Sequence, residues 1–542
     1  MLPKIHIEIM SWTREAGQHA FPNDEEDEVC EMLSAEFSAL PTLIAVHARE
    51  FPSRRALVDD DILLSYSDLA ALMSRIAAGL QRDGVAPQSP VAIVGETTAM
   101  SVAIFLSALQ AGCVPAPMAP SATHEQLERM ISDCGASIVF ADREVAMSLT
   151  MPGLVVIAAD EILRWCPPSH VDFQPIAIMP DDRFDIIYSS GTTGNPKGIV
   201  HTHAMRWMQT VALGVAGFND AVTMVATPLY SNSTLVMLIP TLANGGAAVL
   251  IGKFDARRFL VKSERERATH AMLVPVQYQR VMDMADFDRF DLTSFRFKSC
   301  TGSPFATELK ADIVKRWPGA LVEIYGTTEG GGNCVLWADK YPDKLHTVGQ
   351  PAPDNDIRLI DPEGNEVPTG EVGEVVGRSN MMMAGYHGQP EASNAATWTD
   401  PNGNQYIRQG DLGYFDEDGF LTLLGRSKDM IVSGGFNVYP IDIETVLLGH
   451  PQIADAAVIG VFSPTWGETP YAYLVTRENG VDVNEVVAWM NGLVGKTQRL
   501  SGAELIDELP RNTAGKVLKR ELRNRFEAGR QRHTAQIEGE QP

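Results

Sequence analysis

The sequence predicts a large α/β domain followed by a small α+β domain, and three observations support this fold class. From about residue 55 to 425, short apolar runs alternate with longer helical patterns, which is typical of βαβ units around a largely parallel, covered sheet. After residue 360, turn-rich segments predict a meander of short strands. The 542 residues also exceed what one hydrophobic core usually organises. We therefore expect two domains, at residues 1–425 and 426–542.

The individual elements follow from apolar runs and their spacing. VAIVG at 91–95 predicts a strand, and 100–112 predicts the helix that follows it. Residues 235–244 predict a buried helix that ends on Gly245. The further strands are expected at 223–227, 247–251, 271–275 and 321–325. The small domain is expected to hold strands at 455–461 and 471–475, a helix around 484–493 and a final basic helix at 517–526.

Composition narrows the class of protein. Hydrophobic residues make up 45% and charged residues 21%, which is ordinary globular usage. A formal charge of −25 disfavours binding to nucleic acid or anionic membranes. The six cysteines show no CxxC pair and no Cys/His metal spacing, so reduced thiols are expected. No apolar run of about 18 residues predicts a membrane segment. We expect a cytoplasmic enzyme, and the sequence does not decide between a monomer and a homodimer.

The sharpest motif is YSSGTTGNPKGIVHTH at residues 188–203. Glycines allow backbone N–H groups to turn toward a ligand, hydroxyl groups add donors, and Lys197 supplies the positive charge that a triphosphate requires. The motif lacks the GK[ST] ending of a P-loop, because Pro196 precedes the lysine and Gly198 follows it. These features predict a phosphate-binding loop other than a P-loop.

This sixteen-residue pattern resembles the signature loop of the adenylate-forming superfamily, which includes acyl-CoA synthetases, nonribosomal peptide adenylation domains and beetle luciferases. The resemblance covers nearly the whole chain, since four further motifs follow in order. It implies parallel sheets with helices and a distorted β-barrel in the large domain, with a hinge before the small one. It also implies ATP, Mg²⁺ and coenzyme A as ligands. The loop residues that it assigns to the nucleotide are Ser189, Ser190, Gly191, Thr192, Thr193, Gly194 and Lys197, with Thr192 also on Mg²⁺.

The second motif is YGTTEGG at 325–331, directly after a predicted strand. By resemblance, Tyr325 flanks the adenine, Thr328 meets the AMP phosphate and Glu329 holds Mg²⁺, so Thr328 and Glu329 are expected to be catalytic. Gly326 and Thr327 complete the nucleotide-binding turn. Mg²⁺ prefers hard oxygen ligands and usually binds one or two carboxylates plus substrate phosphates, which agrees with a single glutamate here.

The third and fourth motifs span the expected domain junction. In YIRQGDLGYFDEDGFLTLLGR at 406–426, the resemblance assigns Asp411 and Arg426 to the ribose, and an ionised carboxylate suits two hydroxyl donors. In GRSKDMIVSGGFNVYP at 425–440, the hinge position falls on Lys428. The resemblance implies that the small domain rotates between an adenylation pose and a thioester-forming pose. The residues expected to face CoA in the second pose are Ser433, Gly434, Gly435 and Phe436.

The fifth motif, LPRNTAGKVLKREL at 509–522, places Lys516 just before a helix. A lysine can act as a point charge that stabilises negative charge while a carboxylate attacks the α-phosphate. Alone, this pattern would indicate a surface lysine. With four earlier motifs in order, it predicts the catalytic lysine.

Two histidines, His201 and His203, follow the phosphate loop. An HxH pair without a third ligand is weak evidence for a metal. We assign both a structural or packing role.

The acid pocket departs from the pattern of plant coumarate:CoA ligases, which carry a histidine beside the substrate carboxylate. Here Ser231 takes that position and Tyr230 the neighbouring aromatic one. The other walls that the resemblance assigns are mostly small: Thr301, Gly302, Gly326, Gly331, Gly332 and Asn333. Such a pocket would accept a hydroxycinnamate such as ferulate or coumarate, or alternatively a medium or long acyl chain.

The sequence therefore predicts an AMP-forming acid:CoA ligase that acts through an acyl-adenylate. Hydroxycinnamate:CoA ligases and fatty acid:CoA ligases are the family members that it resembles. An enzyme that loads a carrier protein ranks lower, because no carrier-like domain is appended. The absence of an aspartate to anchor an α-amino group weakens an amino-acid adenylation domain. A nucleotide-binding protein of another class is disfavoured by the missing P-loop ending.

Overall fold

The computed structural model describes residues 28–60, 62–168, 171, 173–189, 197–512 and 515–539. Its largest sheet has nine strands, with a parallel centre and antiparallel pairs at both edges. In spatial order the strands are β15 (Gln350–Pro351), β14 (Cys334–Trp337), β13 (Ala320–Tyr325), β12 (Phe297–Cys300), β11 (His270–Leu273), β9 (Val222–Val225), β10 (Ala247–Leu250), β1 (Arg55–Val58) and β2 (Leu63–Ser65).

Two smaller sheets accompany it. One is fully parallel, in the order β4 (Val114–Met118), β3 (Pro90–Val94), β5 (Ile138–Ala141) and β6 (Val155–Ala158). The other is antiparallel, in the order β18 (Gly385–Tyr386), β8 (Lys197–Thr202) and β7 (Arg183–Ser189). Strand β7 leads into the phosphate-loop motif, residues 188–203, and β8 lies within it.

The C-terminal part of the chain adds two more sheets. The turn-rich region after residue 360 belongs to an antiparallel sheet of β16 (Asp356–Ile360), β17 (Gly373–Arg378), β20 (Gln405–Phe415) and β19 (Thr397–Thr399), with β21 (Leu421–Arg426) paired to β20. The last sheet orders β23 (Phe436–Val438), β22 (Ile431–Ser433), β25 (Gly467–Thr476) and β24 (Ile453–Ser463), with β26 (Ala503–Leu505) paired to β25.

Helices cover these sheets. In chain order they are α1 (Glu28–Ser34), α2 (Leu40–Glu50), α3 (Tyr66–Arg82), α4 (Ala99–Gln110), α5 (His124–Cys134), α6 (Arg143–Ser148), α7 (Ile162–Trp165), α8 (His203–Ala212), α9 (Asn232–Ala243), α10 (Ala256–Glu266), α11 (Pro275–Met282), α12 (Thr307–Arg316), α13 (Pro390–Ala395), α14 (Pro440–Leu448), α15 (Val483–Leu493) and α16 (Lys519–Gly539). Short 3₁₀ turns occur at Ala159–Glu161, Leu213–Ala216, Phe287–Arg289, Ser427–Asp429 and Lys496–Gln498.

Helix α4 illustrates how sequence leads to packing. Thr98 and Ser101 form a reciprocal capping box that satisfies free N–H groups at the helix start. The segment is apolar on nearly every side, and Ala99 and Ser101–Leu109 are buried. A helix that is hydrophobic all round belongs inside a protein. It packs with α3, α9 and strand β1 in the largest hydrophobic cluster, which includes Ile76, Leu238 and Leu57.

The predicted fold class, a large α/β domain followed by a small α+β domain, is confirmed. The expected helix at 235–244 begins earlier, at Asn232, and ends at Ala243 with Pro240 inside it. The final basic helix starts at Lys519 and continues to Gly539, well beyond the predicted end at residue 526. Among the described residues, no helix has the length and apolarity needed to cross a lipid bilayer.

Candidate active site

The parallel strands β9, β11, β12 and β13 end at one edge of the large sheet. In α/β sheets, ligands bind outside the carboxyl ends of the strands. The segments that leave this edge carry predicted site residues: Tyr230 and Ser231 after β9, Thr301 and Gly302 after β12, and the turn at 326–331 after β13. The topology thus gathers three motifs that lie far apart in sequence.

Lys197 and Ser189 stand opposite each other where β7 and β8 meet the phosphate loop. Ser190, Gly191, Thr192, Thr193 and Gly194 lie outside the described residues. The Lys197 ammonium lies 4.6 Å from the centre of the Tyr386 ring, within the range of a cation–π interaction. The positive charge of Lys197, at the start of β8, therefore lies against the aromatic face of Tyr386.

Tyr386 also reaches the second motif. Its hydroxyl group donates a hydrogen bond to Oε1 of Glu329 at 2.8 Å. Burial raises the pKa of Tyr386, with the neighbouring Glu329 adding to the effect, so the phenol keeps its proton. The backbone of Glu329 is fixed as well, because its carbonyl accepts a hydrogen bond from the N–H of Met383 at 2.9 Å. Sequence analysis missed Tyr386, since a lone tyrosine between turns gave no signal.

The backbone of Thr328 is hydrogen-bonded to the buried side chain of His201. Its carbonyl accepts a hydrogen bond from Nε2 of His201 at 2.8 Å, and Nδ1 of that ring lies 2.5 Å from Oδ1 of Asp185. His201 therefore bonds the turn of the second motif, residues 326–331, which is called the catalytic turn below because its catalytic role is predicted. Next to Thr328, the buried hydroxyl of Thr327 has no hydrogen-bond partner within the described part of the chain. A buried hydroxyl of this kind suits a polar ligand.

Asp411, Tyr325 and Arg426 form one polar cluster. The Tyr325 hydroxyl group donates to Oδ2 of Asp411 at 2.9 Å, and Nε of Arg426 lies 3.0 Å from Oδ1. Burial raises the pKa of the Asp411 carboxyl, although Arg426 and Tyr325 oppose that effect. A second Arg426 nitrogen, Nη1, donates to the carbonyl of Gln409 at 2.5 Å. The pairing of β20 with β21 places Asp411 directly opposite Arg426.

Lys516 faces this cluster. Burial lowers the pKa of Lys516 to about 8, and repulsion from Arg426 adds to the effect while Asp411 opposes it. The preceding residue, Gly515, has a φ of 76°, and a Cβ there would lie 3.0 Å from Cγ1 of Val276. Gly515 therefore packs closely on the segment that follows β11. The small domain is seen in the pose that brings Lys516 toward Asp411.

The junction and the predicted CoA-facing hairpin are also ordered. Lys428 lies in the 3₁₀ turn 427–429, and burial lowers its pKa. The adjacent Asp429 accepts a hydrogen bond from Arg523 of α16 at 2.7 Å. In the hairpin, Gly434 and Gly435 have positive φ values of 60° and 83°. The Phe436 side chain is 65% exposed in this pose.

The predicted acid-pocket residues include polar side chains, such as Ser231 and Asn333, and glycines. The hydroxyl groups of Ser231 and Ser233 lie 2.8 Å apart at the start of α9. The carboxamide of Asn333 packs directly against Gly326, where any side chain would collide with it.

Gly331 and Gly332, two further glycines of the predicted pocket wall, lie too close to neighbouring side chains to carry a Cβ atom. A Cβ on Gly331 would lie 2.6 Å from Cβ of Ile407, and a Cβ on Gly332 would lie 2.7 Å from Cδ1 of Ile357. Both glycines are buried. Their contact with the acid stays a prediction.

Glu329 supplies the chemistry that Mg²⁺ requires. Its carboxylate offers hard oxygen atoms beside the phosphate-loop strands, and the described residues bond only Oε1, through Tyr386. Within the described ranges, no cluster of three or more His, Cys, Asp or Glu residues could hold a metal unaided. This arrangement fits an ion that takes its other ligands from substrate phosphates.

Comparison with known proteins gives consistent matches. The "AMP-binding enzyme" family model matches residues 44–387, and the "AMP-binding enzyme C-terminal domain" model matches 442–516. A feruloyl-CoA synthase from an Amycolatopsis species is 33% identical over 88% of this chain and 97% of its own length. The fatty acid–[acyl-carrier-protein] ligase ScoC from Streptomyces coeruleorubidus is 30% identical over 90% of this chain and 97% of its own length. The structure of o-succinylbenzoate CoA synthetase from Bacillus subtilis, bound to its acyl-adenylate, aligns with a TM-score of 0.80 at 25% identity, covering 90% of this chain and 98% of that one.

Proposed function

Because the chain belongs to the AMP-binding enzyme family of adenylate-forming acyl-CoA synthetases, we propose that the acid it activates is a hydroxycinnamate such as ferulate or coumarate. The enzyme is an AMP-forming acid–thiol ligase whose substrates are ATP, a small carboxylic acid and CoA. The observation that carries the choice of acid is the similarity to a feruloyl-CoA synthase along nearly the whole chain.

The pocket residues support this choice. Ser231 and Asn333 offer hydroxyl and carboxamide groups that can bond the substituents of an aromatic ring. A ring substituent can add hydrogen bonds to such groups, whereas an alkyl chain offers them none. A ring with hydroxyl or methoxy substituents therefore suits these walls better than an alkyl chain.

In the first half-reaction, a carboxylate oxygen of the acid attacks the α-phosphorus of ATP. The new bond joins that oxygen to phosphorus, and the bond to the bridging oxygen breaks as pyrophosphate leaves. Lys516 supplies positive charge at the α-phosphate, and this charge is effective because the ammonium is partly removed from water. Mg²⁺, held by Glu329 and Thr192, would neutralise charge on the phosphates.

The other chain residues place the nucleotide. Asp411 accepts hydrogen bonds from the ribose hydroxyl groups, and Arg426 keeps that carboxylate oriented. Tyr325 lies along the adenine, while Thr327 and Thr328 donate to the phosphate. Lys197 and the remaining loop residues bind the outer phosphates. Together these groups hold the α-phosphorus in line with the incoming carboxylate.

In the second half-reaction, the CoA thiol loses its proton to water and its sulfur attacks the acyl carbonyl. A carbon–sulfur bond forms, and AMP leaves with the electrons of the carbonyl carbon–oxygen bond. The small domain, residues 426–542, turns about Lys428 so that Lys516 withdraws and the hairpin at 433–436 approaches. The exposed Phe436 then contacts the pantetheine arm. This rotation lets the same site carry out the two half-reactions one after the other.

An acid screen tests the proposal. Pyrophosphate release is measured with ATP, Mg²⁺ and CoA for hydroxycinnamates, benzoates and medium- or long-chain fatty acids. We expect the highest kcat/KM with a hydroxycinnamate. A preference for fatty acids would contradict the proposed substrate.

A second candidate, transfer of a fatty acyl group to a carrier protein, is favoured by the similarity to ScoC. Normal pyrophosphate exchange without acylation of free CoA would support this candidate instead. Chromatographic detection of acyl-CoA therefore accompanies the screen.

A further inference from the structure

A buried ionic cluster lies beneath the catalytic turn. Asp185 in β7 and His201 in β8 are fully buried, and Arg206 in α8 is 1% exposed. Arg206 donates to Oδ2 of Asp185 through Nε at 3.1 Å and Nη2 at 2.6 Å, while His201 contacts the other carboxylate oxygen. Although burial opposes ionisation, Arg206 and His201 hold the pKa of Asp185 below its usual value.

Such a cluster is an inefficient way to stabilise a fold. Removing charged groups from water costs free energy that their mutual attraction only partly offsets, and apolar residues of similar volume often perform as well. In β7, RFDIIYS, Asp185 lies between the apolar residues Phe184 and Ile186. A purely structural strand would carry another apolar residue there. The cluster therefore calls for an explanation based on what it contacts.

Among the described residues, three side-chain hydrogen bonds leave the cluster. One joins Nη1 of Arg206 to Oε1 of Gln209 within α8 at 3.0 Å, and the other two reach the candidate site. His201 donates from Nε2 to the carbonyl of Thr328 at 2.8 Å. Arg206 donates from Nη1 to Oδ1 of Asn232 at 2.7 Å, and Asn232 directly follows Ser231 at the start of α9. One rigid unit thus joins the phosphate-loop strands to the catalytic turn and to the acid-pocket helix.

We propose that His201 is a positioning residue for the adenylation half-reaction, which fixes the turn of Thr328 and Glu329 relative to the loop between β7 and β8. The histidine side chain is fully buried and acts through the Thr328 carbonyl. Without it, that carbonyl lacks its partner and the turn can shift. A displacement of about 1 Å at a reacting group can cost about a hundredfold in rate. The inference rests on the adenylation step of the proposed function.

The test compares His201→Leu with His201→Gln, since a glutamine amide can still donate to the Thr328 carbonyl. A matched control is His270→Leu. His270 is equally buried and bonds the carbonyl of Ala216 at 2.8 Å, away from the catalytic turn. Melting temperature and acid-dependent ATP–pyrophosphate exchange are measured for all variants beside the wild type.

We expect both leucine variants to melt at lower temperature, because each leaves a backbone carbonyl unpaired. We expect kcat for exchange to fall about 10- to 100-fold in His201→Leu only, with KM for ATP within about threefold of the wild type. His201→Gln should recover at least part of that loss. Recovery by glutamine separates positioning from general damage to the fold.

Two results would overturn the role of His201: exchange at the wild-type rate in His201→Leu, or an equal loss in His270→Leu. The wild type measured in parallel tests the proposed function separately. Its failure to exchange with any acid overturns that function, whereas an unchanged His201→Leu beside an active wild type overturns the positioning role alone.

Discussion

The hydroxyl group of Tyr325 donates a hydrogen bond to Oδ2 of Asp411 at 2.9 Å, so two motifs that lie 86 residues apart in sequence meet directly. Oδ1 of the same carboxylate pairs with Arg426 at 3.0 Å. These contacts orient the carboxylate before any nucleotide arrives. Preorganisation of this kind lowers the cost of binding.

The first prediction concerns Asp411→Asn. The substitution removes the charge that Arg426 pairs with and half of the acceptor capacity offered to the ribose. A hydrogen bond to a charged group contributes about 1.5–3 kcal/mol, so we expect KM for ATP to rise roughly 10- to 100-fold. Steady-state pyrophosphate release at varied ATP measures this. Asp416→Asn serves as a control, because Asp416 bonds Lys344 in an outer turn. An unchanged KM in Asp411→Asn would remove Asp411 from the nucleotide site.

The second prediction concerns Lys516→Ala. We expect adenylation to fall by about a hundredfold or more while the dissociation constant for ATP changes little, because the ammonium acts on developing charge. Pyrophosphate exchange and equilibrium ATP binding separate the two quantities. Lys496→Ala, an exposed lysine in the same domain, should retain the wild-type rate. Normal exchange in Lys516→Ala would exclude Lys516 from the mechanism.

The third prediction is a pH dependence. Burial lowers the pKa of Lys516 to about 8, and only the protonated ammonium can stabilise the transition state. Therefore kcat/KM for ATP in the adenylation step should fall as pH rises through about 8, since that ratio reports the free enzyme. In Lys516→Arg the guanidinium stays protonated, so the descending limb should move to higher pH. A limb at the same pH in both enzymes would assign the titration to another group.

The sequence was sufficient to predict the architecture and the order of the motifs, because apolar runs set the strands and Gly-rich turns mark the strand ends. It was insufficient for contacts that depend on tertiary packing. Tyr386 joins Lys197 to Glu329 only because β18 pairs with β8. The available signal for the His201 cluster was Asp185, a charged residue between the apolar Phe184 and Ile186. Its partners His201 and Arg206 lie 16 and 21 residues away in sequence.

The fourth prediction concerns Phe436→Ala. The side chain is 65% exposed and supports no core, so the variant should fold normally. We expect adenylation to stay within about twofold and KM for CoA to rise about 5- to 30-fold, because an aromatic contact is lost only in the thioester-forming pose. Acyl-CoA formation at varied CoA measures the effect. Leu493→Ala, with a 60% exposed leucine on α15, should leave both steps unchanged. A loss confined to adenylation in Phe436→Ala would contradict the assigned role.

The fifth prediction concerns Asn333→Val. The carboxamide packs against Gly326, so valine keeps much of the volume and removes the polar group. We expect the preference for ferulate over unsubstituted cinnamate, taken as the ratio of kcat/KM, to fall about tenfold. Gln498→Val, in the 3₁₀ turn 496–498 of the small domain, should leave the ratio unchanged. An equal ratio in Asn333→Val would place ring recognition elsewhere.

The most direct test of the account is a competition between acids. Purified enzyme is given ATP, Mg²⁺, CoA and an equimolar mixture of ferulate and dodecanoate, and the products are separated by chromatography. The account predicts feruloyl-CoA as the main thioester, formed with equal amounts of AMP and pyrophosphate. Dodecanoyl-CoA as the main product, or consumption of ferulate without acylation of CoA, would contradict it.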